Sequence, residues 1–128
     1  MGKKSFSLNQ DILKLLLPEG LFNYFDFDKI EAVDDSFFIY LVEKNIHPIE
    51  FEGHKLESKG FFDAESVRDF PLRGKPCYLK LKRRKWFNHT TGQIIYRNWD
   101  IVAKGTRMTM EFANFLKGFS TFLLRAFD

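Results

Sequence analysis

The residues best able to do chemistry lie between Ser66 and Arg107, where 11 Lys and Arg stand against 2 acidic residues. Aromatic rings are set among them, in Tyr78-Leu79-Lys80-Leu81-Lys82-Arg83-Arg84-Lys85-Trp86 and again in Tyr96-Arg97-Asn98-Trp99. This is chemistry for a polyanion: ammonium and guanidinium groups neutralise phosphates, and flat rings stack on bases. The charge is polarised along the chain. Residues 1–64 hold 7 basic and 12 acidic side chains, and residues 65–128 hold 13 and 5, so the net charge of +3 hides two opposed halves. The bland alternatives are that the two halves neutralise each other in one fold, and that the basic run is a solvated face that keeps a strand soluble.

Other reactive residues form no catalytic set. His47, His54 and His89 lack the i, i+4 or Cys-paired spacing of a metal site and read as surface or turn histidines. Cys77 is the single cysteine, which excludes an internal disulfide and a Cys-based zinc site; beside Pro76 it reads as a small buried hydrophobe. Asp26, Asp28, Glu31, Asp34 and Asp35 read as strand-face and turn carboxylates. There is no Gly-rich phosphate loop and no G-x-S-x-G. The residues call for no cofactor and no metal.

These side chains must be positioned by one domain, since 128 residues is a single-domain length. No apolar run reaches the roughly 18 residues of a membrane span. The start, Met1 to Phe6, has no signal-peptide pattern, so a cytoplasmic protein is expected. Ser7-Leu8-Asn9-Gln10 has the form of a capping box, opening a short helix with Leu8, Ile12, Leu15 and Leu16 on one stripe and Pro18-Glu19-Gly20 as its stop. A hairpin follows, with Phe25 and Phe27 alternating with Asp26 and Asp28, a turn at Val33–Ser36, and a strand over Phe37–Val42. Lys55–Phe62 is a further short strand. Pro71 and Pro76 flank a Gly74 turn, which excludes a helix and a central strand there. A second hairpin runs Cys77–Phe87, turns over His89–Gly92 and returns over Gln93–Val102, with Lys104-Gly105-Thr106 ending it. Met108, Phe112, Phe115, Leu116, Phe119, Phe122 and Leu123 form an apolar stripe on a C-terminal helix and read as core.

The second hairpin can be read face by face. Pairing Asn88 with Gln93 puts Tyr78, Lys80, Lys82, Arg84 and Trp86 on one face, with Ile95, Arg97, Trp99 and Ile101 across the ladder. Leu79, Leu81, Phe87, Ile94, Tyr96 and Val102 make the core face. Arg84 then opposes Arg97, an unfavourable pairing that a bound phosphate would relieve. Lys82 meets Trp99 as a cation–π pair. The fold class expected is α+β: an antiparallel, hairpin-built sheet with a short N-terminal and a longer C-terminal helix.

Several motifs in order resemble a known family: Ser58-Lys59-Gly60-Phe61-Phe62, Arg68-Asp69-Phe70-Pro71-Leu72-Arg73-Gly74-Lys75, the Tyr78–Trp86 run, Arg97-Asn98-Trp99, and Val102 to Ala113. From Leu15 to Phe119 the chain resembles the N-terminal region protein of a bacterial insertion-sequence transposase family. That family is similar to the zinc-ribbon N-terminal domain of DDE transposases. The positions where its Cys pairs would fall, Ile49–Glu52 and Asn88–Gln93, hold no Cys, so the resemblance implies a degenerate, metal-free ribbon. It implies a non-catalytic module that binds double-stranded DNA at transposon inverted-repeat ends. The catalytic acids would lie on a separate or fused transposase subunit, with no membrane partner and with room for a homodimer. The expected DNA-contacting residues are Arg68, Arg73, Lys75, Lys80, Lys82, Arg83, Arg84, Lys85, Trp86, Arg97, Trp99, Lys104, Thr106, Arg107 and Thr109. The competing readings use the same basic face for RNA or for an acidic protein.

Overall fold

The structure, a computed structural model, describes residues 4–6, 10–97, 99, 101–102 and 107–126, with side chains described over 11–97, 99, 101–102 and 107–119. Ser7 to Asn9 of the expected capping box, Lys104, Gly105 and Thr106 lie outside the described residues, as do the side chains of Phe122 and Leu123.

The chain begins with strand β1 (Lys4–Phe6), helix α1 (Gln10–Leu16) and the short helix α2 (Leu21–Tyr24). The buried leucines of this region are Leu13, Leu17 and Leu21, spaced four apart. The expected stripe is the solvent one: Ile12, Leu15 and Leu16 are exposed, Leu15 by 85%. A leucine-rich turn offers two apolar stripes, and contact with the sheet selects one.

Strands β2 (Phe25–Val33) and β3 (Ser36–Glu43) form the expected first hairpin, closed by Asp34-Asp35 with Val33 opposite Ser36. Asp34 has φ 54°, a left-handed conformation that Asp tolerates and that two-residue hairpin loops require. Strand β4 (Leu56–Phe61) falls where a short strand was expected, after a single 3-10 turn over Ile49–Phe51. Strands β5 (Glu65–Leu72) and β6 (Lys75–Lys82) make a second hairpin through Arg73-Gly74, with φ 55° and 76°. Pro71 is tolerated because β5 is an edge strand and its register slips between Asp69 and Leu72. Pro76 precedes the first residue of β6 that pairs with β3.

The long strand expected from Cys77 to Phe87 is two strands. It breaks at Arg83, and β7 (Arg84–Asn88) pairs with β4 and with the three-residue β8 (Gln93–Ile95). The Arg84 N–H that would continue the ladder is taken by the Glu43 carboxylate at 2.8 Å, and the Arg83 carbonyl accepts Phe62 N–H. The break shifts the inward residues from odd to even numbers: Cys77, Leu79 and Leu81 before it, Trp86 and Asn88 after it.

Two sheets result. The large one has strand order β1-β2-β3-β6-β5 and the small one β4-β7-β8. The hairpins are β2–β3, β5–β6 and β7–β8; β4 joins β7 across the intervening β5–β6 hairpin. Against the antiparallel sheet expected, a parallel β3–β6 pair, Phe37↔Cys77 through Val42↔Lys82, joins two hairpins in the large sheet. Its inner face, with Phe25, Ile30, Ile39, Leu41, Val67, Cys77, Leu79 and Leu81, packs on Leu13, Leu17, Leu21, Trp99 and Ile101. Helix α3 (Met110–Ala126) closes the described chain. The fold is α+β, with the short and long helices expected at the two ends.

Candidate nucleic-acid interface

The outer face of the large sheet is ordered by strand register. One row crosses the strands as Glu31, Phe38, Tyr78 and Arg68; the next as Lys29, Tyr40, Lys80 and Ser66. Asp26, Val42 and Lys82 make a third. Period-2 alternation puts these side chains opposite the core residues Ile39, Leu41, Leu79 and Val67. Cations therefore stand over rings. Lys80 lies 5.3 Å from the Phe38 centroid, Lys29 4.8 Å from Tyr40, and Arg68 5.6 Å from Tyr78. Phe38 and Tyr78 are themselves stacked, 5.4 Å apart at 16°. Lys82 reaches toward Phe61 of the small sheet, 5.1 Å away. Two carboxylates share this face: Glu31 is buried and paired with Lys29 at 3.5 Å, and Asp26, in register with Val42, is exposed and 3.9 Å from Lys44.

Of the residues expected to touch DNA, Arg68, Lys80 and Lys82 lie on this face. Arg73 sits exposed at the β5–β6 turn, Lys75 stands 5.8 Å from the Phe37 ring, and Lys85 is over Phe62 at 4.8 Å on the small sheet. Arg107 is exposed beside the β5 edge. Phe38, Tyr40 and Lys29 belong to the face but carry no sign of it in the sequence. The parallel β3–β6 pairing that aligns them spans about forty residues and leaves no local signal.

Five expected contacts are corrected. Trp86, Arg97, Trp99 and Thr109 are buried, and Arg84 is engaged inside the protein. The expected ladder register holds for Asn88↔Gln93, Phe87↔Ile94 and Trp86↔Ile95, then ends, so Arg84 never opposes Arg97 and Lys82 never meets Trp99 across a ladder. The parity change at Arg83 turns Trp86 inward and leaves Ile94 and Tyr96, expected in the core, exposed. The carboxylate set among these residues is Glu43. Its Oε1 accepts Arg84 N–H, its Oε2 accepts Trp99 Nε1–H at 3.1 Å, and Arg97 and Arg83 bias it electrostatically. Arg84 also donates to Ser58 Oγ at 2.7 Å, and Arg97 donates to the His47 carbonyl at 3.1 Å. Arg83 lies 4.2 Å from the Trp99 ring and 3.8 Å from Glu65. Burial raises the Glu43 carboxyl above its ordinary range despite these donors.

Thr109 is a helix cap. Its hydroxyl donates to buried Asp69 Oδ1 at 2.8 Å and accepts Phe112 N–H at 3.3 Å. Burial raises Asp69, and the Thr109 bond offsets part of that rise. Cys77, fully buried beside Asp69, has its thiol pushed up to about 12, which suits the small hydrophobe expected and no nucleophile. The histidines are held by protein groups: His47 Nε2 meets the Phe51 carbonyl, His54 pairs with Asn88, and His89 with Glu57. Hydrogen bonds from Lys59 and His89 hold Glu57 below the usual carboxylate range. Among the described residues no group of three His, Cys, Asp or Glu side chains is placed to hold a metal, and no helix is long and apolar enough to cross a membrane.

No family model matches the chain, and no curated protein or solved structure matches it.

Proposed function

We propose that the chain is a non-catalytic DNA-binding module that recognises the ends of an insertion sequence and acts beside a transposase catalytic subunit in the cytoplasm. The observation that carries the binding claim is the outer face of the large sheet, where Lys29, Lys80 and Arg68 stand over Tyr40, Phe38 and Tyr78. Cations on rigid strands track a phosphate backbone, and rings beneath them hold the stems in place. The transposase assignment rests on the resemblance of the Ser58–Ala113 motifs.

A salt titration on duplex DNA carrying inverted-repeat ends tests the reading. Removing one Lys–phosphate interaction lowers the log–log salt slope by about 0.9, because one fewer counterion is released on binding. Lys80→Gln/Lys82→Gln should flatten the slope by nearly twice that. It should weaken cognate and random duplexes alike, since phosphates carry no direct sequence information. A double variant with unchanged affinity and slope would overturn the proposal. The stacked Phe38–Tyr78 pair favours a second reading, single-stranded RNA laid across the sheet. Preferential binding of RNA in competition with the duplex would select it.

A further inference from the structure

A cavity of about 380 Å3 opens beside Tyr78, lined by Ser66, Arg68, Tyr78, Arg107 and Met108. Its volume falls within the roughly 300–1,000 Å3 of small-ligand sites. Backbone bonds build it. Arg68 N–H donates to the Arg107 carbonyl at 2.7 Å, and Thr109 N–H to the Arg68 carbonyl at 2.8 Å, so residues 107–109 dock on the edge of β5. The Thr109–Asp69 bond then anchors that segment from the inner side. Among the described residues the walls supply a ring, a thioether, two guanidinium groups and a hydroxyl, and no carboxylate. Such a site suits a flat apolar group that carries hydrogen-bond acceptors and negative charge. Arg68 adds a second sign: its Nε is buried and has no hydrogen-bond partner among the described residues. A buried donor without an acceptor is costly, and an acceptor-bearing occupant would remove that cost. The guanidinium is held between Tyr78 and Phe112, 5.6 and 5.8 Å from their rings, so it is preorganised.

We infer that this cavity receives one unpaired nucleotide of the bound DNA, its base against Tyr78 and Met108 and its acceptors toward Arg68, Arg107 and Ser66. The inference rests on the DNA-binding reading of the sheet face and adds a preference for a base outside the duplex stack. Phosphate contacts along Lys80 and Lys82 would not distinguish paired from unpaired bases; a cavity walled by a ring and a thioether would.

The test uses the whole chain and three labelled DNAs: a fully paired duplex, the same duplex with one bulged nucleotide, and that duplex with the bulge abasic. The expected result is about tenfold tighter binding of the bulged base than of the other two, from one stacked ring. Ser66→Trp fills the cavity from β5 and should abolish the preference, bringing the bulged, abasic and paired duplexes to one affinity. Arg107→Gln, at an exposed position, should reduce the preference without changing the melting temperature, and it decides the matter if Ser66→Trp does not fold. Equal binding of all three DNAs by the wild type, or a preference that survives both variants, overturns the inference. If the wild type shows no base preference but Lys80→Gln/Lys82→Gln still weakens the paired duplex, the cavity proposal falls and the sheet-face reading stands. If the wild type binds none of the DNAs, both fall.

Discussion

Thr109 joins two buried needs in one hydroxyl. Asp69 lies inside the protein and needs a donor; the first turn of α3 needs an acceptor for Phe112 N–H. Replacing the hydroxyl with a methyl takes the acceptor from Phe112 N–H and one of two donors from Asp69 at nearly constant volume. Thr109→Val should therefore cost about 1.5–5 kcal/mol, the sum of a missing cap and of a buried carboxyl that keeps only its Phe70 N–H donor. Thr109→Ser should stay close to wild type in a denaturant titration. A Val variant that unfolds with the wild type would mean that water supplies both partners. The same residue shows how residue type misleads. A Thr in a basic segment suits base contact as well as it suits a cap, and only the packing of the segment against β5 separates the two.

Helix α3 is apolar along most of its length, yet the structure buries it unevenly. Phe112 is 6% exposed and packs on Phe70, with ring centroids 5.2 Å apart, whereas Phe115 is 53% exposed although it also touches Phe70. Leu116 and Phe119 are likewise open to solvent. The stripe reads as core from spacing, but among the described residues of α3 the sheet buries Phe112 and only grazes Phe115. Phe112→Ala is expected to cost about 3–5 kcal/mol and Phe115→Ala less than half of that. Equal costs would mean that Phe115 is covered in solution by another surface. At β6–β7 the same lesson takes another form. Alternation predicts one continuous strand, and a single side chain from β3, Glu43, captures Arg84 N–H and reverses every residue beyond it.

At the scale of the whole molecule, two buried carboxyls shape the pH dependence. Burial raises the Glu43 and Asp69 carboxyls above their ordinary values. For each, the folded state holds its proton at a pH where the unfolded chain has released it. The stability each contributes is complete below the ordinary value and is lost as pH rises through the folded one. Unfolding free energy should thus carry a falling component as pH rises from about 4 toward neutrality. Asp69→Asn removes one titration at constant shape, so the stability difference should move in the variant's favour over that range. A difference that stays flat from pH 3 to pH 8 would show that Asp69 is not desolvated. The duplex salt titration belongs to this scale too, because its slope counts phosphates over the whole face.

Local pattern was enough for the α+β class, the first hairpin, the short strand before Phe62, the turn at Gly74, the three ladder pairs beside the His89–Gly92 loop, and the identity of Lys80, Lys82 and Tyr78 as outward residues. Each follows from alternation or turn chemistry within a dozen residues of chain. The rest depends on contacts between distant segments. Which leucines around α1 are buried is set by contact with the large sheet, and where the basic strand breaks and why Trp86, Arg97 and Trp99 turn inward are set by Glu43 and by the docking of the second sheet. Lys29, Phe38 and Tyr40 join Tyr78, Lys80 and Arg68 only through the β2–β3 and parallel β3–β6 pairings. Alternation tells which residues share a face of one strand, but only tertiary pairing decides which strands lie side by side, and the candidate site is a property of that order.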